Sequence, residues 1–81
     1  MNQPELWATV TAIKHRVVDT IGLTLPHAFR STQAYQAYAG ICGEAQMAYA
    51  DGELTEEIIR LLNGQADKVM ALWQKDFAQA P

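Results

Sequence analysis

The sequence has very little cysteine. Cys42 is the only one in 81 residues, so an intrachain disulfide is excluded. A chain this short buries only about 60% of its unfolded surface, and without disulfides it depends on good helix packing or on a partner. A lone thiol is typical of a reducing compartment, so we expect a cytoplasmic protein. Its Ala, Gly and Tyr neighbours favour a small buried side chain over a reactive thiol.

Positive charge is also scarce. Six Lys and Arg stand against nine Asp and Glu, which gives a net charge of −3. The only adjacent basic residues are Lys14, His15 and Arg16. Because nucleic-acid binding depends on clustered Lys and Arg, we regard nucleic acid as an unlikely partner. A nucleic-acid-binding regulator that uses Lys14, Arg16 and Arg30 is the weaker alternative.

Long apolar runs are missing. No segment reaches the roughly 18 apolar residues of a membrane-spanning helix, and MNQPELWATV does not resemble a secretory signal. We therefore expect no membrane association. The hydrophobic content of 49% excludes a disordered chain. The length predicts one domain over residues 1–81.

A first helix is predicted over residues 4–21. Asn2 precedes Glu5 by three residues, which is the spacing of a capping box. The apolar residues then recur at steps of three and four and form one stripe. They are Leu6, Val10, Ile13, Val17 and Ile21.

Residues 23–30 have no clear pattern. Pro26 disfavours a helical conformation for Leu25, so both a loop and a short helical turn after Pro26 fit the sequence. Either Ser31 or Thr32 is the expected N-cap of the next helix.

Residues 31–50, STQAYQAYAGICGEAQMAYA, predict a second helix with unusually little charge. Glu44 is the only charged residue, whereas an ordinary surface helix has a charged face. We therefore expect other helices or a partner to contact most of its circumference. Gly40 and Gly43 each cost roughly 1 kcal/mol relative to alanine in a helix, so we expect close packing at both.

A third helix is predicted over residues 55–78, with Thr55 as its cap. Asn63-Gly64 is a turn signal by itself. The apolar stripe nevertheless continues through it in phase, which favours one long helix. The stripe consists of Ile58, Leu62, Ala66, Val69, Trp73 and Phe77.

The segment around Gly52 resembles part of a calcium-binding EF-hand loop. With Gly52 at the sixth position, the ligand positions fall on Met47, Tyr49, Asp51 and Ile58. Only one of these is a carboxylate, so calcium binding is excluded. The pattern indicates the end of one helix and the capped start of the next.

Metal and catalytic patterns give no lead. His15 and His27 have no cysteine or carboxylate at metal-ligand spacing. Ser31 and Thr32 are explained as caps rather than nucleophiles. We predict a protein that is not an enzyme and that has no catalytic residue, metal or cofactor.

The predicted fold is all-α: a small three-helix arrangement with a long antiparallel hairpin, which a homodimer would complete. The predicted function is a protein-binding module that acts as a regulator, inhibitor or adaptor. The alternative is a helical oligomer that binds a nucleotide or metabolite. The candidate partner-binding residues are Tyr35, Gln36, Gly40, Gly43, Met47 and Tyr49. A weaker acidic docking patch consists of Asp51, Glu53, Glu56 and Glu57.

Overall fold

The computed structural model describes residues 2–21 and 32–79, and this part of the chain contains three helices and no strand. Helix α1 spans Gln3–Ile21, α2 spans Gln33–Ala50 and α3 spans Glu56–Gln79. The predicted all-α class is confirmed, and each boundary lies within two residues of its predicted place. The predictions for residues 23–30 lie outside the described residues.

Each described helix begins at a residue whose side-chain oxygen accepts a backbone N–H three residues later. This contact satisfies one of the donors that a helix leaves unpaired at its first turn. Of the two candidates at the start of α2, Thr32 is the cap. The bonds join Glu5 N to Asn2 Oδ1 (2.9 Å), Tyr35 N to Thr32 Oγ1 (3.1 Å) and Ile58 N to Thr55 Oγ1 (3.2 Å).

Helix α3 continues without interruption through Asn63-Gly64, as the apolar phase predicts. The chain turns back between α2 and α3 at Gly52, which has a φ of 72°. This left-handed conformation suits glycine at a helix end. The turn makes α2 and α3 the predicted antiparallel hairpin.

The core lies along α3. Helices α1 and α2 both pack against α3 and have little contact with each other. All five predicted positions of the α1 stripe are buried. The buried residues of the described chain are Leu6, Val10, Ile13, Val17, Ile21, Ala34, Tyr38, Ala45, Leu54, Leu62, Ala66 and Val69.

Two polar contacts fix the position of α1. At its start, Gln3 Nε2 donates to the Leu54 carbonyl, and Leu54 N–H donates to Gln3 Oε1, both at 2.7 Å. Further along, Arg16 donates to Asn63 Oδ1 and lies 3.3 Å from Asp67 Oδ1. The N-terminus of α1 therefore lies at the α2–α3 turn, and α1 runs in the same direction as α3.

Candidate partner-binding surface and the adjacent groove

The surface of α2 opposite the core is formed by Gln36, Gly40, Gly43 and Met47, which we call the outer face. At about 100° per residue, these four positions fall within about 60° of one another and are centred opposite Tyr38. All four are exposed, and Met47 exposes 70% of its surface. Four of the six predicted partner-binding residues therefore form one continuous strip.

The two glycines of the outer face have no packing partner among residues 2–21 and 32–79. A Cβ placed on Gly40 or on Gly43 would meet no heavy atom within 4 Å. The prediction that packing offsets the cost of these glycines is therefore wrong for contacts within the described chain. Each glycine therefore lowers the stability of α2 by about 1 kcal/mol relative to alanine.

The other two predicted residues lie elsewhere on α2. Tyr49 is half-buried and stacks on Trp7 of α1, with ring centroids 4.7 Å apart and planes inclined by 11°. Tyr35 is also half-buried, and its ring centroid lies 6.4 Å from that of Tyr38. The structure therefore separates both tyrosines from the outer face and turns them towards α1.

The predicted acidic patch lies at the α2–α3 turn and in the first turn of α3. Its four residues are all exposed, and they begin one helical turn after Met47, at the end of the outer face. Acidic side chains in the first turn of a helix are also stabilised by the helix dipole. This placement agrees with two interpretations. The four residues are either solvated charges that suit the helix dipole or a charged border of the outer face. The residues are Asp51, Glu53, Glu56 and Glu57.

An open groove of about 380 Å³ lies between α1 and α2, because these helices pack mainly on α3 and contact each other at few places, among them the Trp7–Tyr49 stack. We call it the α1–α2 groove. Its walls include Val18 of α1 together with Tyr35, Ala39 and Cys42 of α2, and Lys14 lies on its border. Sequence periodicity does not reveal the groove, although the apolar Val18 directly after Val17 of the α1 stripe is a signal for it.

Burial raises the pKa of two ionisable groups in the α1–α2 groove, which are Cys42 and Tyr38. Burial raises the pKa of the Cys42 thiol, and a hydrogen bond from Tyr38 and the charge of Lys14 oppose this in part. Burial also raises the pKa of the Tyr38 hydroxyl, and the neighbouring Cys42 raises it further. These shifts agree with the interpretation of Cys42 as an unreactive side chain.

The basic residues of α1 contact other side chains of the chain. Lys14 Nζ lies 5.7 Å from the centroid of the Trp7 ring, a cation–π geometry. Arg16 pairs with α3 as described above. Arg30, the third residue of the nucleic-acid alternative, lies outside the described residues.

Within residues 2–21 and 32–79, no three His, Cys, Asp or Glu side chains come close enough together to hold a metal ion. In the same part of the chain, no helix combines the length and apolarity needed to cross a membrane. Comparison of the chain with protein-family models, curated proteins and solved structures found no match.

Proposed function

We propose that the chain is a small, non-enzymatic protein-binding module of the cytoplasm. It acts as a regulator, inhibitor or adaptor by placing the outer face of α2 against a partner protein. The observation that carries the proposal is the open space around Gly40 and Gly43. These residues weaken α2 without improving any contact in the described chain, whereas they would let the backbone of a partner approach closely.

The composition of the outer face supports the same function. Met47 is a flexible apolar side chain of the kind that adapts to binding surfaces, and it exposes 70% of its surface. Gln36 adds hydrogen-bonding groups without charge. Depletion of charge around an apolar contact is typical of the centre of a protein–protein interface.

The partner surface is tested by introducing a charge at its edge. Gln36→Arg leaves the core intact because residue 36 is exposed, but it places a long side chain with a permanent charge on an outer face that has no charged residue. We expect this variant to lose capture of the partner from a lysate of the native host. The matched control is Gln74→Arg, which changes an exposed glutamine of α3.

Both variants should keep the helical circular dichroism of the unmodified chain. Equal capture by the two variants would contradict the assignment of the outer face. Loss of helical signal in Gln36→Arg alone would show that residue 36 supports the fold and does not form a contact surface.

A second copy of the chain is the simplest partner, because two outer faces would cover each other. The homodimer is tested separately by gel filtration with light scattering at low micromolar concentration. We expect twice the chain mass of 9.0 kDa. A monomer at this concentration would contradict the homodimer and would leave a different protein as the partner.

A further inference from the structure

We propose that the α1–α2 groove is a binding site for a small organic anion with an apolar body, whose negative charge pairs with Lys14. This site borders the outer face, because Gly43 belongs to that face and also lines the groove. The case for the ligand does not use the proposed protein-binding function. Its volume of about 380 Å³ falls within the range of about 300–1,000 Å³ that is typical of small-molecule sites.

The walls of the groove suit an apolar body. Val18 is 38% exposed there, and Val17, Tyr35 and Ala39 line the same space. Each CH₂ group that a ligand removes from water can raise affinity by up to about fourfold. A straight acyl chain is the simplest apolar body for an open groove between two helices, since it can bury CH₂ groups without requiring a wide cavity.

The charge of the groove selects an anion. Lys14 is the cationic residue among the described residues that line the groove, and no Asp or Glu is among them. The Tyr38 hydroxyl and the Cys42 thiol are neutral at pH 7, and burial raises the pKa of both further. Gln46, also in the lining, adds a polar but uncharged side chain. A carboxylate at Lys14 would therefore meet an attractive charge and no ionised acid among the described residues that line the groove.

The ammonium group of Lys14 is held beside the Trp7 ring. It lies 5.7 Å from the centroid of the Trp7 ring, and that ring is fixed by its stacking on Tyr49. A lysine restrained in this way loses less side-chain freedom when it binds a ligand than a fully solvated lysine does. The polar end of the ligand is therefore expected at the Trp7 side of the groove.

The charge preference is tested with three probes that share a ten-carbon chain: decanoate, decanol and decyltrimethylammonium, each below its micelle-forming concentration. We expect decanoate to shift the backbone amide NMR signals of Val18, Ala39 and Cys42 in the full chain. Decanol should bind more weakly, and the cation should bind least. Lys14→Met should weaken decanoate binding by roughly fivefold and leave decanol binding unchanged.

The location is tested with a matched pair of alanines on α2. Ala39 and Ala37 are both exposed, but only Ala39 lines the groove, and the two point to opposite sides of the helix. Ala39→Trp should fill the groove and abolish decanoate binding, whereas Ala37→Trp should bind as the unmodified chain does. Val18→Glu is a second blocking variant, because it places a negative charge at a position that is 38% exposed.

Circular dichroism checks that each variant is folded. Three results would overturn the proposal: no decanoate-dependent shift at millimolar concentration, equal binding of all three probes, or decanoate binding that survives in both folded blocking variants. If Ala39→Trp is unfolded, the Val18→Glu result decides. The protein-binding function is tested separately, by capture of the partner and by light scattering.

Discussion

Replacement of Gln3 tests how the three helices are joined. The Gln3 amide forms two hydrogen bonds with the backbone of Leu54, both at 2.7 Å, and the two residues are 51 positions apart in the sequence. Gln3→Ala removes both bonds and leaves the N–H and the carbonyl of Leu54 without their side-chain partner. The helical propensity of residue 3 hardly changes, since both residues are good helix formers.

The expected loss follows from the count of hydrogen bonds. Each bond contributes about 1 kcal/mol net, so Gln3→Ala should lower the free energy of unfolding by about 2 kcal/mol. In a domain of this length, 1 kcal/mol corresponds to about 4–8 °C, so the melting temperature should fall by about 8–16 °C. Urea and thermal unfolding followed by far-ultraviolet circular dichroism measure both quantities.

The matched control for this substitution is Gln33→Ala. Gln33 is the first residue of α2, as Gln3 is the first residue of α1, but Gln33 is exposed. Its replacement should change stability by no more than about 0.5 kcal/mol. If Gln3→Ala is as mild as Gln33→Ala, the contact with Leu54 does not stabilise the fold and the reasoning is refuted.

Three further results are expected. In urea unfolding, Gly40→Ala should raise the free energy of unfolding by about 0.5–1 kcal/mol, because the added Cβ would meet no atom of the described chain. Gly52→Ala should lower it, because residue 52 has a φ of 72°. Two effects of the same sign would contradict this reasoning. Burial raises the pKa of Cys42 and of Tyr38, so the free energy of unfolding should stay constant below their usual pKa values of 9.0 and 10.0 and fall above them. In a series of unfolding curves at different pH, Tyr38→Phe should reduce this loss of stability at alkaline pH. Iodoacetamide should alkylate Cys42 more slowly than free cysteine at pH 8, and an equal rate would contradict the raised thiol pKa.

The elements that depend on neighbouring residues were predictable from the sequence. Asn2 and Thr55 cap their helices because the capping contact spans three residues. The continuity of α3 through Gly64 follows from an apolar phase that local turn propensity does not override. In both cases the deciding interaction lies within a few positions of the residue.

The contacts between distant elements were not predictable. Periodicity indicates which side of a helix faces inwards, but it does not identify the residue that lies opposite. From the sequence, Tyr49 and Met47 are predicted to share one partner-binding surface. Two residues correspond to about 200° around a helix, however, and Tyr49 stacks on Trp7 instead. The α1–α2 groove was not predictable for the same reason. Its existence depends on how far apart α1 and α2 lie, and periodicity does not indicate this distance.

The central position of α3 has a consequence for the order of folding. Helices α2 and α3 are joined by a short turn, so their contacts close a small loop at low entropic cost. The polar contacts that join α1 to the turn and to α3, such as that between Gln3 and Leu54, span about fifty residues. We therefore expect the α2–α3 hairpin to form first and α1 to dock onto it, and amide hydrogens of α1 to exchange with solvent before those of α3.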